Sequence, residues 1–318
     1  MGAPAQASTP EPDFTQATRF EKIVLLLAVT IPLLGTAYAA YRLWNLWITW
    51  VDVVVLLTFY VLTAMGIGIG FHRMLTHRSF ETPAPVRFFW LSLGSMALQG
   101  PAVEWAATHT KHHAKSDKEG DPHSPLEGFW HSHVGWLFRD RIVKSGVWAK
   151  PFESDKVAQA VDKTFYVWAV LGFVLPGLMG LALGHTWAHF WTGVLWGGVV
   201  RVFLGHHVTW SVNSVCHTFG RREFESNDAS RNEWVVGLLG LGEGWHNNHH
   251  AFPKAAYHGM KWYQIDLNAY VIRVMKRVGI VKNVWMPRKA DMEARRVKNR
   301  PGANPTGAAT TLIAAKRE

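Results

Sequence analysis

Histidines in three closely spaced groups are the residues of this sequence best suited to chemistry. Residues three and four positions apart on a helix lie on one face, so side chains with this spacing can converge on a metal ion. Eight imidazoles are too many for one ion and suit two. The groups are His72-x4-His77, His109-x2-His112-His113 and His246-x2-His249-His250.

The composition indicates a membrane protein. Of the 318 residues, 48% are hydrophobic, 17 are Trp and only 18% are charged, and the apolar residues are gathered into long runs. The single cysteine, Cys216, excludes an internal disulfide framework and a cysteine-based zinc site. The net charge of +10 comes without a nucleic-acid-binding motif. We therefore expect a membrane surface and an acidic electron donor as partners, and no nucleic acid.

Donor type alone leaves the metal open, because imidazole binds zinc, copper, iron and nickel. Zinc hydrolases normally use three protein ligands and a water, and zinc cannot activate dioxygen by redox chemistry. A histidine-rich site for two metals beside a bilayer favours two iron ions acting on an apolar substrate. One histidine at a membrane interface would be an ordinary amphipathic side chain, but the repeated spacing predicts ligands.

Four apolar runs are long enough, or nearly so, to cross a hydrocarbon core of about 30 Å. They cover about 23–40, 51–71, 165–183 and 190–212. A further run, 86–103, carries Gln99, Gly100 and Pro101. If it crossed the bilayer, the first two histidine groups would lie on opposite sides. We therefore expect a re-entrant or interfacial segment there, with its irregular backbone covered by protein.

The loops at 41–50 and 184–189 contain one basic residue between them, Arg42, whereas the other connections and both tails are basic. The positive-inside rule places both termini and all three histidine groups on the cytoplasmic side. We expect flexible tails at 1–21 and 291–318 and a single domain at 22–290. Residues 221–289 are predicted to form a helical cytoplasmic cap, amphipathic near 262–278. The fold class is an all-α integral membrane protein with four transmembrane helices, a re-entrant segment and a cap that holds a di-metal site.

With these motifs, the chain from about Gly66 to Trp262 resembles the membrane fatty acid desaturases, most closely their stearoyl-CoA (Δ9 acyl-CoA) branch. The resemblance extends beyond the histidine groups to several short motifs. They are His72-Arg73 with Thr76-His77-Arg78, Asp121-Pro122-His123, Ser132-His133-Val134-Gly135-Trp136, Asn213-Ser214 with His217, and Gly242-Glu243-Gly244.

The resemblance implies a ninth ligand at His217 and a residue linked to the metal through water at Asn213. These two are four positions apart and share a helical face. It also implies an acyl tunnel whose bend is lined by Gln99, Trp105 and Thr209. The expected metal ligands are His72, His77, His109, His112, His113, His217, His246, His249 and His250.

The function implied is the O₂-dependent insertion of a cis double bond, at Δ9, into a saturated acyl chain by a di-iron centre. Electrons are expected from a separate carrier such as a ferredoxin or a b-type cytochrome, because no haem or flavin domain is fused to the chain. Acyl-CoA is the expected carrier, with lipid-linked and carrier-protein-linked chains left open. The family's Arg-Asp pair that contacts CoA is replaced here by Ala107-Thr108, and Arg139 is followed by Asp140.

Two other functions fit parts of the pattern. A di-iron hydroxylase of alkyl or lipid chains would use the same scaffold. A histidine-rich metal transporter would need a path of polar groups through the spans, which have few; a membrane zinc hydrolase is weaker, because no His-Glu-x-x-His helix appears. Eight histidines are left out of the ligand set: His123, His131, His133, His185, His189, His206, His207 and His258.

Overall fold

The computed structural model describes residues 15–45, 48–139, 141–143 and 146–297. Their regular structure is almost entirely helical. Two short strands, Thr15–Gln16 and Arg141–Ile142, pair antiparallel beside the helices. The helical fold class predicted from the hydrophobic runs is therefore confirmed for the described residues.

Three helices of the described chain are long and apolar enough to cross a membrane: Arg19–Arg42, Trp50–Thr76 and Phe165–Gly184. They coincide with three of the four predicted spans. The first continues as a helix to Asn45 and buries little of its surface against the protein. The second is half buried, because it packs at the centre of the helical bundle. Its last eleven residues, Gly66–Thr76, are wound as a π-helix.

The fourth predicted span, at 190–212, lies inside a continuous helix from 187 to 214 but is not among those three. This helix has α-helical ends, Trp187–Gly193 and Arg201–Ser214, around a π-helical centre. Histidines and Arg201 lower its hydropathy. Arg201 and His206 are buried, so this helix carries polar groups on the side that faces the protein.

The predicted re-entrant run is a helix, a break and a second helix. The Ala84–Met96 helix has 13 residues, so at 1.5 Å per residue it is about 20 Å long and too short to cross the core. The break contains Leu98 at φ 62° and Gly100 at φ 95°, and the chain becomes helical again at Ala102–Lys115.

Side chains of the 187–214 helix satisfy the carbonyl groups at this break. Arg201 donates to the Met96 carbonyl at 2.7 Å, and His206 donates to the carbonyls of Ala97 and Leu98 at 3.1 Å. A broken helix within a membrane protein needs such partners, because lipid offers none.

Short helices build the rest of the fold on one end of this bundle. Arg73, fully buried next to His72, holds them to the second span: it donates to Asp266 at 3.0 Å, to Glu243 at 2.9 Å and to the Ala256 carbonyl at 3.0 Å. The short helices are Pro125–Glu127, Phe129–His133, Gly135–Phe138, Lys150–Glu153, Lys156–Lys163, Trp234–Leu239, His246–Ala251, Leu267–Arg277 and Lys289–Ala294.

Most of the two predicted flexible tails, 1–14 and 298–318, lies outside the described residues. The described parts of the tails are structured. Arg19 begins the first helix, and the last helix, Lys289–Ala294, crosses the expected boundary at 290. Arg296 forms an antiparallel bridge with Phe224, so contacts with the folded part continue to the end of the described chain.

Asp162 caps the helix that carries the second histidine group. Its two carboxylate oxygens accept the backbone N–H groups of Ala102 at 2.7 Å and Val103 at 3.0 Å. We expect Asp162→Ala to destabilise the protein by about 1 kcal/mol, the usual effect of losing a helix cap. Thermal unfolding of the detergent-solubilised protein measures this loss. The exposed Glu153 gives the control Glu153→Ala, and an equal shift in both variants would contradict the capping role.

Candidate metal centre

The nine histidines of the expected ligand set lie together in two groups. Within each group, one ring nitrogen from every residue lies within 4.8 Å of the others. The structure thus places His217, more than 100 positions from the second histidine motif, beside it. We call the sets the five-histidine group and the four-histidine group. They comprise His72, His77, His109, His113 and His249, and His112, His217, His246 and His250, respectively.

Helical geometry explains how neighbouring histidines serve different groups. Consecutive residues on an α-helix point about 100° apart, whereas residues four apart point the same way. In the Ala102–Lys115 helix, His109 and His113 therefore join the five-histidine group while His112 joins the other. In the His246–Ala251 helix the arrangement is reversed, since His249 alone joins the five-histidine group. Each His-x-x-His-His motif thus contributes to both groups.

Ring nitrogens meet within each group at distances typical of a shared ligand shell. The Nε2 of His249 lies 3.0 Å from that of His72 and 2.8 Å from that of His113. The Nε2 atoms of His217 and His246 are 3.1 Å apart. Two nitrogens bound at right angles to one ion, with bonds of about 2.1 Å, are separated by about 3.0 Å. A neutral imidazole has one N–H, so a cation suits these converging nitrogens better than hydrogen bonds alone.

Four carboxylates orient histidines of both groups from outside. Each accepts the Nδ1–H of one ring, which turns the Nε2 of that ring towards its group and fixes the tautomer. The buried Nε2 atoms of His112 and His250 have no hydrogen-bond partner among the described residues. This is expected of nitrogens whose lone pairs bind a metal ion. The pairs are His72 with Glu243 at 2.5 Å, His112 with Asp121 at 2.9 Å, His217 with Asp117 at 3.0 Å and His250 with Asp228 at 2.6 Å.

Electrostatics favour the protonation states that metal binding requires. Burial raises the pKa of Asp228, but the hydrogen bond and charge of His250, together with the hydrogen bond from Ser230 and the charge of His217, outweigh it, and the pKa lies well below its usual range. Burial lowers the pKa of His246 and His249 well below the ordinary value. At neutral pH the carboxylate is therefore ionised and these imidazoles are neutral, the form in which they bind metals.

Sequence reasoning missed these carboxylates as functional residues. Asp121 and Glu243 were noted only as parts of the motifs that carry the resemblance, and Asp117 and Asp228 were not singled out. Asp117 lies beyond the end of the Ala102–Lys115 helix and Asp228 lies in an irregular segment, so helical spacing could not relate either position to a histidine. Contact across the fold is what pairs them with rings.

His258, which was left out of the ligand set, is fully buried against the five-histidine group. Its ring centroid is 4.5 Å from that of His249 and 5.2 Å from that of His72. Its Nδ1 is 3.6 Å from Glu243. The exclusion of His258 from the ligand set stays a prediction, although the turn after the third motif folds this histidine back onto the rings.

Most of the other excluded histidines also have identifiable partners. The ring centroid of His123 lies 4.3 Å from that of His112. His133 lies between Ser214 at 2.9 Å and His207 at 3.1 Å. His185 and His189 are in and beside the loop that joins the Phe165–Gly184 helix to the next.

A cavity lies beside both groups. His72, His109 and His246 line its inner end, and Asn213 lines it as well. Apart from these residues the lining is mainly apolar, as ligand cavities usually are. Asn213 therefore lines the same cavity as these three histidines.

The three predicted tunnel residues form one hydrogen-bonded chain in the cavity wall. Gln99 donates to the Thr209 hydroxyl at 2.8 Å, and the Trp105 indole donates to Gln99 at 3.3 Å. The Trp105 ring also stacks on His109, with centroids 5.0 Å apart. The break at residues 97–101 is thereby tied to the 187–214 helix beside the histidines.

The residues expected to contact a carrier headgroup have little cationic character here. Ala107 is 0% exposed in the hydrophobic core, so this position presents no surface to a headgroup. Arg139 is ion-paired with Glu127, and Asp140 lies outside the described residues.

Comparison with known proteins agrees with this site. A family model described as fatty acid desaturase matches residues 46–277. The chain is 37% identical over 284 residues to the hex-5-enoyl-[acyl-carrier protein] acetylenase of Moorena producens (strain JHB), covering 86% of this chain and 88% of that protein. It is 39% identical over 239 residues to the sn-1 stearoyl-lipid 9-desaturase of Anabaena variabilis, with coverages of 74% and 84%.

A plant relative, the acyl-CoA C20 Delta5-desaturase of Anemone leveillei, is 37% identical over 241 residues, which are 76% of each chain. The printed names of these relatives thus include acyl groups carried by a carrier protein, by a lipid and by CoA. The family model spans more than two thirds of the chain, and two groups of histidines stand where the motifs predicted them. This chain belongs to the fatty acid desaturase family, and it is accordingly an oxidoreductase of lipid metabolism.

Proposed function

We propose that this protein uses two iron ions and O₂ to introduce a cis double bond, at Δ9, into a saturated fatty acyl chain. The observation that carries the proposal is the convergence of two histidine groups on the inner end of one largely apolar cavity. The nine histidines are its metal ligands, five in one group and four in the other. Asn213 acts beside them through water. Iron bound there supplies the oxidising power that removes hydrogen from an unactivated chain.

The chain's own residues position the acyl chain and exclude water from the cavity. The apolar wall of the cavity binds methylene groups and excludes water, and the Gln99–Thr209 hydrogen bond holds the wall in place where the helix breaks. Trp105, stacked on His109, couples the position of the wall to the position of a ligand. Holding one carbon–carbon unit beside the reactive centre is the largest contribution that such a scaffold makes to the rate.

The proposal also covers the acyl carrier, the electron donor and the side of the membrane on which the site lies. Acyl-CoA is the first carrier to test, beside lipid-linked and carrier-protein-linked chains. Electrons come from a separate protein such as a ferredoxin or a b-type cytochrome, which the basic face attracts if it is acidic. We place the histidine groups and both termini on the cytoplasmic side, with four membrane-spanning helices including 190–212, on the basis of the charge distribution of the loops.

Expression in cells that lack their own desaturase tests the reaction. With iron and a compatible donor supplied, we expect new monounsaturated fatty acids with the double bond at carbon nine, found by mass spectrometry after derivatisation. Separating the CoA, lipid and carrier-protein pools early after induction identifies the carrier. A hydroxylated product would favour the hydroxylase alternative, and an unchanged profile from iron-loaded protein would contradict the proposal.

Removing one ligand should abolish the reaction. In His112→Ala the four-histidine group loses one of its four nitrogens, so we expect activity to fall below detection and the iron content to drop from about two ions per chain. Iron is measured by elemental analysis of purified protein. His185→Ala, at an exposed position far along the chain from both groups, is the matched control. Full activity of His112→Ala would remove this residue from the ligand set.

The carboxylates that orient the rings should control metal affinity. Asp228→Asn keeps the size of the side chain but weakens the hydrogen bond to His250, and we expect about 10- to 100-fold weaker iron binding, the usual effect of such outer partners. Competition with a chelator measures it. Glu119→Gln changes an exposed carboxylate near the same site and should have no effect. Equal chelator sensitivity of the two variants would show that Asp228 does not support the ligand.

A further inference from the structure

One face of the Arg201–Ser214 helix forms a continuous wall of the cavity. Arg201, Gly205, Thr209 and Asn213 stand four positions apart and all line it. The next position in the series, His217, belongs to the four-histidine group. Because this spacing keeps side chains on one face of a helix, the series measures distance from the reactive centre.

Arg201 is a rigidly held part of the cavity lining. This side chain is 1% exposed, and its guanidinium donates to the carbonyls of Gly197 at 3.0 Å, Met96 at 2.7 Å and Gly172 at 2.6 Å. With every nitrogen engaged, it cannot move aside without leaving buried carbonyl groups unsatisfied. Arg201 begins the α-helical segment that ends at Ser214, so about 20 Å of helix separate it from the end nearest His217.

Gly205 is the position in this wall that has no side chain. A β-carbon built on it meets no atom within 4 Å. By contrast, a β-carbon on Gly198 of the same continuous helix meets Phe173 at 2.8 Å. Close helix packing therefore explains Gly198 but not Gly205. Glycine within a helix costs about 1 kcal/mol relative to alanine, and the space left at Gly205 belongs to the cavity.

We propose that Gly205 determines the longest acyl chain that the cavity accepts. This inference rests on the proposed function, in which the cavity holds an acyl chain. The carrier is polar and must remain outside the bundle, so the methyl end of the chain is the part that enters the deep end. It passes over the bare backbone of Gly205 and stops against Arg201. A side chain at position 205 shortens the available length by about one helical turn.

Chain-length competition tests this role. Cells or purified membranes receive myristoyl, palmitoyl and stearoyl substrates together, and the monounsaturated products are quantified by mass spectrometry. For Gly205→Leu we expect the ratio of stearoyl to myristoyl product to fall about tenfold or more, since each misplaced methylene in an apolar pocket has an effect of this size. Gly205→Ala should shift the ratio in the same direction by a smaller factor.

Two features keep the test decisive. Leu204→Phe adds bulk at the neighbouring position, which is 38% exposed on the outer surface of the helix, and should leave the ratio unchanged. Alanine favours the helix more than glycine does, so Gly205→Ala still tests the chain-length role if the leucine variant does not fold. The proposal would be overturned by an unchanged ratio in both Gly205→Ala and Gly205→Leu when both fold. If the leucine variant is unfolded, an unchanged ratio in Gly205→Ala alone would overturn it. An equal loss of product at all chain lengths would also overturn it.

The behaviour of the wild-type protein distinguishes a failure of this inference from a failure of the proposed function. Wild-type desaturation of stearoyl substrate, with variants that keep its chain-length ratio, would refute the role of Gly205 and leave the desaturase proposal standing. Absence of any unsaturated product from iron-loaded wild-type protein would contradict both.

Discussion

The convergence of nine imidazoles in a buried space is the constraint on which the rest of the structure depends. Lone pairs that face one another at about 3 Å are unfavourable without a cation, and water is largely excluded from these rings. The chain holds them there by surrounding the rings with acceptors. Four carboxylates bind outward N–H groups, and Arg73 in turn binds two of the acidic residues nearby, Glu243 and Asp266. Imidazole rings at the centre are hydrogen-bonded to carboxylates, and the charge of one such carboxylate, Glu243, is compensated by the Arg73 guanidinium outside it.

The same principle recurs deeper in the bundle. Arg201 has no carboxylate partner among the interactions described; three carbonyl groups around it take that role, two of them on other helices. A charged side chain in this setting is costly unless its donors are all used. Arg201 uses its donors beside the break at residues 97–101. One residue thereby both satisfies backbone carbonyl groups and closes a cavity. Polar residues in the membrane part of this fold thus shape the space that an apolar ligand would occupy.

Much of the site follows from local spacing. Intervals of three and four residues placed histidines on common helical faces, and the expectation that all groups share one side of the membrane predicted that 86–103 does not cross it. Contacts between distant parts of the chain were beyond such reasoning. Glu243 lies 171 positions from its partner His72, and His258 returns to the rings by a turn with no periodic pattern. The helix at 190–212, predicted as a fourth span, carries a buried Arg201 and is not among the three helices of the described chain that are apolar enough to cross a membrane.

The pairs of adjacent histidines have a mechanical consequence. His112 and His113 point to different groups although one peptide unit joins them, and His249 and His250 do the same. The separation of the two centres is therefore set by rigid backbone geometry, to which flexible side chains add little. Filling one centre fixes the orientation of the helices that supply the other, so assembly of the pair is expected to be cooperative. In the proposed function, this geometry keeps the two metal ions at a constant distance while the surrounding protein moves.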